Sequence, residues 1–449
     1  MPASTPTPSA ASELGSSHER GPASAGFFFC PALLHFEPES LPALMARGRR
    51  RELQGGPLRP ATAALLVFLI MLSSTLLIPA VRPFFSSVYP QHEDGLFLFM
   101  SVNMIGAIVG APLLAFIADA TGKRSRVLIL AAVADGALLF LCSLGLPLPL
   151  LLLLRALQGM ANVGALSVLM GLTPQRGLPL VGGATIAAIA AGAPLGTFLL
   201  GRDAAWPLQV GAMLPLVVAA AVAALQPAAE AGRKRSGSMV SGLRLVFLPG
   251  VFVFAERFAV GLFIVPFSLL CHDRGLGDDV TGRLFAAFLI PFAVVTALVP
   301  RTALSPVAAV VAGVVVYASS LLTIGRIEGV PLSSLVLLAG GIGAALVYAP
   351  ALRTAGLLAG AEHRGAAMGA LNAMGALGML LGSGGAGAIK RGLSSSGASR
   401  EASLVGAFDV AAVGLVLLVV VFIVPFARLV TTVNDDDDDN DDHDDNPQP

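Results

Sequence analysis

The 449-residue chain is too apolar for a water-soluble protein, because 55% of its residues are hydrophobic, 12% are charged and its mean hydropathy is +0.81. A soluble domain needs a larger polar fraction to cover its surface, so these values exclude a soluble enzyme or binding module and indicate a membrane protein. The 28 basic and 28 acidic residues balance, and Cys30, Cys142 and Cys271 lie too far apart to indicate a disulfide framework or a CxxC metal site.

The first 59 residues contain no apolar run near the roughly 20 residues that a membrane helix needs. They are rich in Pro, Ser and Gly, which predicts a disordered cytoplasmic tail over residues 1–59. The Phe-Phe-Phe run at residues 27–29 is too short for the core of a signal peptide, and positive charge follows it instead of preceding it. Met45 opens Met-Ala-Arg-Gly-Arg-Arg-Arg, a pattern typical of a natural juxtamembrane start, so residues 1–44 are either part of this tail or an over-extended gene prediction that is not translated.

Apolar segments of about 20 to 25 residues recur from residue 60 onward, separated by short loops that carry charge, Gly and Pro. At a rise of about 1.5 Å per residue each segment crosses roughly 30 Å of hydrocarbon as a helix, and a helix satisfies every backbone amide within one segment. The predicted fold is an all-α membrane protein with twelve transmembrane helices, at residues 60–82, 95–118, 126–146, 148–172, 178–201, 205–226, 245–270, 282–303, 305–325, 330–352, 365–389 and 402–428.

The basic residues predict the orientation of these spans. With a cytoplasmic N-terminus, 18 Lys and Arg residues fall in cytoplasmic loops and 7 fall outside, which favours both termini inside. Arginine outnumbers lysine 25 to 3, a bias associated with high-GC bacterial genomes, so we expect the inner (plasma) membrane. The longest loop divides the spans six and six, which predicts an N-terminal half at 60–226, a linker at 227–244, a C-terminal half at 245–428 and an acidic disordered tail at 429–449. Like-charged blocks are usually solvated, so we prefer this interpretation of the tail to a metal site.

The loop between spans two and three reads Ala-Phe-Ile-Ala-Asp-Ala-Thr-Gly-Lys-Arg-Ser-Arg over residues 115–126. Gly122 permits a positive φ, the basic cluster that starts with Lys123 and Arg124 holds the loop in the cytoplasm, and Asp119 caps a helix end. This pattern resembles the signature loop of the major facilitator superfamily, and the opening of span eleven at residues 362–369 resembles the usual start of that helix in the same family.

The resemblance implies a latch on the cytoplasmic side. Asp119 would dock against the N-terminus of span eleven near Gly365, where the helix dipole favours an anion. Span four ends without an acid to receive Arg124, and Glu362 is an alternative acid for the latch. A turn whose charges set the topology, without a gating role, is the other interpretation.

Span four contains Arg155-Ala-Leu-Gln158-Gly159 followed by small residues, which resembles the second motif of the family. An arginine in the middle of a membrane helix costs about 2.5 kcal/mol or more on insertion scales. Arg155 is therefore expected to face a partner or a wet cavity, unless its side chain reaches up to the outer surface.

Span five contains Gly192-Ala-Pro194-Leu-Gly196, which resembles the Gly–Pro motif of the drug/metabolite:proton antiporter branch of the family. Proline bends a helix and the glycines allow close helix approach, as a gating interface needs. The resemblance implies export in exchange for protons.

Four ionisable residues lie within predicted spans: Asp135 in span three, Arg155 in span four, and Glu256 and Arg257 in span seven. Spans three and four form a tight hairpin, so Asp135 and Arg155 differ in depth by roughly 6 Å and could pair. Such a pair is either structural or part of a proton carrier. Glu256 and Arg257 point about 100° apart on one helix, so we expect Arg257 to diverge from Glu256 and prefer Glu256 as the proton carrier.

Asn103 and Asn372 either line the transport pathway or hydrogen-bond a neighbouring helix. Signatures of ATP hydrolysis, zinc hydrolysis or dinucleotide binding are not found between the spans, so we expect no enzymatic activity, no cofactor and no metal. We predict a monomeric, proton-coupled exporter of small organic molecules in the lipid bilayer, without a nucleic-acid partner. The alternatives are an importer of a metabolite, a non-transporting sensor or interaction protein on the same scaffold, and a membrane-embedded enzyme or lipid flippase.

Overall fold

The computed structural model describes residues 58–91, 95–225, 239–299 and 304–441. The predicted N-terminal tail, apart from its last two residues, lies outside the described residues, as do most of the predicted linker and residues 442–449.

The described part of the chain is built from α-helices, with a short 3-10 helix at Gln175–Gly177, and contains no strand. The predicted all-α class is therefore confirmed. In chain order the α-helices are α1 Pro60–Thr75, α2 Val81–Val88, α3 Gly95–Thr121, α4 Arg124–Cys142, α5 Leu148–Gly171, α6 Leu178–Leu200, α7 Trp206–Leu225, α8 Met239–Asp273, α9 Asp278–Leu298, α10 Pro306–Ile324, α11 Val330–Ser395 and α12 Arg400–Asp441.

Within the described ranges, 11 helical segments are long and apolar enough to cross a membrane. The first predicted span, 60–82, differs from the structure, because α1 ends at Thr75 and the chain turns before α2 begins at Val81. Pro79 and Pro83 lie at this break, and proline both lacks a backbone donor and disfavours helical geometry in the residue before it. The number of twelve spans stays a prediction, since α1 alone is a shorter apolar helix of 16 residues.

Helix α11 contains two predicted spans, 330–352 and 365–389, within one helical segment. Both parts contact Arg257: the Tyr348 ring lies 5.0 Å from its guanidinium carbon, and a Cβ on Gly378 would lie 3.2 Å from its Cβ. A straight helix would separate Tyr348 and Gly378 by about 45 Å. The chain therefore turns back within α11, and its two membrane-crossing parts are Val330–Ala359 and His363–Ser395.

Helix packing relies on small residues. In the first predicted half, α3 packs against α5, α4 against α7, and α1 against α6, while in the second half α8 packs against α11 and α12. A Cβ on Gly106 would lie 1.9 Å from the carbonyl oxygen of Ala156, and a Cβ on Gly382 would lie 2.3 Å from that of Phe258. Glycine at these positions lets the helix backbones approach closely.

Two further boundaries differ from the prediction. Helix α8 begins at Met239, inside the predicted linker, and α12 continues to Asp441, inside the segment predicted to be a disordered tail. Adding a residue to an existing helix costs far less than nucleating a new one, which accounts for the extension of both helices beyond their apolar cores.

Candidate functional site

Asp119 joins the predicted first half of the chain to α11. Its Oδ1 accepts a hydrogen bond from Arg124 Nε at 2.7 Å, and its Oδ2 accepts one from the backbone N–H of Ala366 at 2.9 Å. A Cβ on Gly365 would lie 2.5 and 2.6 Å from the two carboxylate oxygens, so this contact requires glycine at position 365. Gly122 has a φ of +64°, the left-handed conformation that the turn between α3 and α4 needs.

The second membrane-crossing part of α11 begins at His363, so Gly365 and Ala366 lie in its first turn, where the latch prediction placed the contact with Asp119. Arg124, for which the sequence offered no acid at the end of span four, pairs with Asp119 itself, with 2.6 Å between Nη2 and Oδ1. The side chain of Glu362 lies outside the described residues, and Lys123 is exposed beside the turn.

Other contacts between the predicted halves lie at the same end of the helix bundle. Arg364 Nη1 donates a hydrogen bond to the carbonyl oxygen of Thr173 at 3.3 Å, and Asn372 Nδ2 donates one to Ser167 Oγ at 3.0 Å. Asn372 thus hydrogen-bonds a neighbouring helix, one of its two predicted roles. The Arg364–Thr173 bond was missed because a backbone acceptor leaves no signal in the sequence.

Asp135 lies at the centre of a buried polar network in the first half. Gln158 Nε2 donates a hydrogen bond to Asp135 Oδ1 at 2.5 Å, and Asn162 Nδ2 donates one to Oδ2 at 2.7 Å. Gln158 Oε1 in turn accepts hydrogen bonds from Arg155 Nη1 and, at 2.9 Å, from Asn103 Nδ2. The Gln158 amide therefore lies between the carboxylate and the guanidinium, and among the described residues Asp135 and Arg155 form no direct ion pair.

Arg155 does not reach the outer surface. The residue is 2% exposed, and its guanidinium carbon lies 4.7 Å from the centre of the Phe99 ring. The alternative in which its side chain snorkels is therefore wrong, and the cation is stabilised by a cation–π contact and by Gln158. Gly159 allows the close approach of α3, because a Cβ there would lie 2.2 Å from the carbonyl oxygen of Asn103.

Glu256 and Arg257 pair with each other, which corrects the prediction that their side chains diverge. Arg257 Nε lies 3.4 Å from Glu256 Oε2, because the long arginine side chain bends back over the 100° between the two Cβ directions. Glu256 is fully buried, and neither of its carboxylate oxygens has a hydrogen-bond partner among the described residues.

Aromatic residues surround the Arg257 guanidinium. Its central carbon lies 5.0 Å from the centre of the Tyr348 ring and 5.9 Å from that of Phe292. Tyr317 is also fully buried near this pair, and its hydroxyl has no hydrogen-bond partner in the described part of the chain. These rings were not predicted, although the sequence carries a signal for them: two of the three tyrosines in the chain lie inside predicted spans.

The small residues of the span-five motif divide between two faces of α6. Gly192 and Gly196 are buried against α1, where a Cβ would lie 2.2 Å from Thr75 Oγ1 and from the carbonyl oxygen of Leu76, respectively. Pro194 is exposed on the opposite side. In the described residues, no group of three or more His, Cys, Asp or Glu side chains is placed to hold a metal ion.

The fold and its buried charges define a multi-pass helical membrane protein. The family model described as Major Facilitator Superfamily matches residues 63–383, and the chain therefore belongs to this superfamily of transporters. Its fold is similar to that of the human organic anion transporter MFSD10 (TETRAN), with a TM-score of 0.62 and 20% identity over 81% of this chain and 98% of that one. No curated protein sequence matches the chain.

Proposed function

We propose that this transporter couples the movement of small organic molecules to protons and works by alternating access between two six-helix halves. The observation that carries the proposal is Glu256, a fully buried carboxyl group whose oxygens have no hydrogen bond among the described residues and whose counter-ion is Arg257 at 3.4 Å. An ionisable group within a membrane helix is expensive and is usually functional. A carboxyl group with so few partners can bind and release a proton with little change in its surroundings.

Asp135 is the weaker candidate for the proton carrier. Two amide groups donate to its oxygens and hold it within the network that also contains Arg155. Protonation would remove an acceptor from one of these donors, and a buried donor without a partner costs about 1 to 3 kcal/mol. We therefore assign Asp135 a structural role in the first half and keep Glu256 as the coupling residue.

The contacts at Asp119, Thr173 and Ser167 support the conformational part of the proposal. All three join the first half to α11 at the end that carries the Gly122 turn, which is the cytoplasmic end in our topology. The structure then represents the state that is closed to the cytoplasm. Transport requires these contacts to break while the opposite end closes.

The test is transport by purified protein in vesicles that contain the pH indicator pyranine. A panel of aromatic anions, cations and neutral molecules is applied with and without an imposed proton gradient. We expect proton movement and accumulation with at least one of them, and we expect Glu256→Gln to abolish accumulation while downhill exchange continues. Asp279→Asn is the matched control, because Asp279 is an exposed acid in the (i,i+4) pair with Arg283. Accumulation by Glu256→Gln under a proton gradient would show that Glu256 is not the carrier.

The direction of transport has two candidates. The resemblance of Gly192, Pro194 and Gly196 to the antiporter motif favours export. The second candidate, import, is favoured by the contact of Glu256 with a cation, because a proton on Glu256 would release Arg257 for a substrate anion. Vesicles with an acidic lumen and vesicles with an acidic exterior distinguish the two: an antiporter concentrates substrate on the acidic side, and a symporter on the opposite side.

A further inference from the structure

The side chain of Arg257 is more accessible than that of its partner Glu256. A Cβ on Gly378 would lie 3.2 Å from Arg257 Cβ and one on Gly375 would lie 3.5 Å from Arg257 Cγ, so α11 passes beside the stem of this side chain. The Arg257 side chain is 14% exposed, whereas that of its partner Glu256 is 0% exposed. The cation can therefore meet a ligand that the carboxylate cannot reach.

Aromatic rings lie beside this accessible cation. Phe292 and Tyr348 pack at a right angle with their centres 6.0 Å apart, and both lie within 6 Å of the guanidinium carbon. Arginine presents a planar fork of donors that fits carboxylate and sulfonate groups, and aromatic walls favour a flat apolar body. This combination suits an aromatic or similarly flat organic anion.

Charge balance links such an anion to the proton. With Glu256 ionised, the pair carries no net charge, and an added anion would leave one negative charge in a low-dielectric site. A proton on Glu256 removes this charge and frees Arg257 from its internal partner.

The groups that face this pair from neighbouring helices carry no positive charge that could compensate Glu256 in place of the proton. They are Tyr317 on α10 and Tyr348 on α11, whose phenols are neutral near neutral pH. Helix α9 contributes the uncharged Phe292. Helix α12 also packs against α8, and the two acids within its membrane-crossing part, Glu401 and Asp409, form ion pairs with Arg274 and Arg326, respectively.

We propose that Arg257 binds the anionic group of an organic anion, with Phe292 and Tyr348 against its apolar body, when a proton occupies Glu256. The inference rests on the proposed function, because it uses Glu256 as the proton site. It adds the substrate class and the sign of the coupling: the proton and the anion bind together, as in a symporter.

Thermal unfolding of the purified full chain with benzenesulfonate tests this inference, because the probe stays anionic at every pH used. Ligand that binds only the folded state raises the apparent free energy of unfolding by RT ln(1 + [L]/Kd), so tighter binding gives a higher melting temperature at the same ligand concentration. We expect benzenesulfonate to bind at least about tenfold more tightly near pH 5 than near pH 8. A tenfold change in affinity corresponds to a shift of about one unit in the pKa of the linked proton site when the anion binds. Benzamide and phenyltrimethylammonium are the neutral and cationic controls.

Variants separate the two groups of the pair. Glu256→Gln imitates the protonated carboxyl and should bind benzenesulfonate with equal affinity at both pH values. Arg257→Gln should lose binding at both, and Arg283→Gln, which removes an exposed arginine, should behave as the parent protein does. If Arg257→Gln does not fold, two other results decide whether Arg257 binds the anion. One is the pH dependence of binding by Glu256→Gln, and the other is binding by Arg257→Lys, which keeps the positive charge but lacks the planar set of guanidinium donors.

The inference is wrong if the parent protein binds benzenesulfonate equally at both pH values or not at all, if the controls bind better, or if Glu256→Gln keeps the pH dependence. Its failure is distinguishable from failure of the proposed function. Proton-driven accumulation in vesicles without pH-linked anion binding overturns the inference alone. Linked binding without proton-driven accumulation overturns the proposed transport mechanism and leaves the anion site.

Discussion

The contact between Asp119 and α11 should be weakened by a single methyl group added at Gly365. In Gly365→Ala the new Cβ would lie 2.5 Å from Asp119 Oδ1, closer than side-chain carbons approach in proteins, so the carboxylate must move away. The Asp119–Arg124 pair lies within the turn from α3 to α4 and can move with it. The substitution therefore removes mainly the bond from the Ala366 N–H, which joins the two halves.

The size of the effect follows from the type of bond lost. A hydrogen bond to a charged group contributes about 1.5 to 3 kcal/mol. Because each 1.4 kcal/mol corresponds to about a factor of ten in an equilibrium, the population of the state closed at this end should fall by roughly 10- to 150-fold relative to the open one. Gly384→Ala is the matched control, since it adds the same methyl group to the same helix where no heavy atom lies within 4 Å.

Labelling of single cysteines measures this shift. In a background without the native cysteines, one reporter replaces Thr173, which is buried at the latch end, and another replaces Thr197, which is exposed on α6. We expect Gly365→Ala to increase the labelling rate at position 173 by at least about tenfold, and Gly384→Ala to leave it unchanged. Equal rates in both variants would refute the assignment of this contact as a latch.

Three further predictions concern the charged groups and the start of the chain. Asp119→Asn should also increase labelling at the latch end, because it weakens the pair with Arg124; unchanged labelling at both ends would leave Asp119 as a topogenic turn residue. Asp135→Asn should cost about 3 to 5 kcal/mol and lower the yield and melting temperature, because it leaves the buried Arg155 without a nearby negative charge; a melting temperature equal to that of the parent would contradict the structural role. A protein that starts at Met45 should insert and unfold as the full chain does, and loss of folded protein would show that the preceding residues are needed.

The helical class and most span positions could be predicted because they depend on apolar length alone, which the sequence states directly. The break after α1 could also have been predicted, since Pro79 and Pro83 interrupt the apolar run. The position of the turn within α11 could not. The segment expected to form the loop is rich in Ala and Gly and carries few turn signals, and the first part of α11 continues to Ala359 instead of ending near residue 352.

Within the candidate site, the contact of Asp119 with α11 near Gly365 followed from the positions of two motifs. Contacts made by amides did not. The sequence placed Asp135 and Arg155 at similar depth, but Gln158 can donate to one and accept from the other, so the structure inserts its amide between them. Neutral amides mediate between charges without any pattern that spacing reveals.

The error at Arg257 follows from treating a residue's direction as that of its Cβ. The 100° between successive positions on a helix fixes where a side chain starts, not where a chain of several rotatable bonds ends. Arg257 leaves α8 beside Gly375 and Gly378, and the space they provide lets its guanidinium turn both toward Glu256 and toward Tyr348. Gly378→Ala should therefore disturb the charge pair, because its Cβ would lie 2.4 Å from the carbonyl oxygen of Phe254 and 3.2 Å from Arg257 Cβ. The small residues of span eleven thus lie against the site where we place coupling.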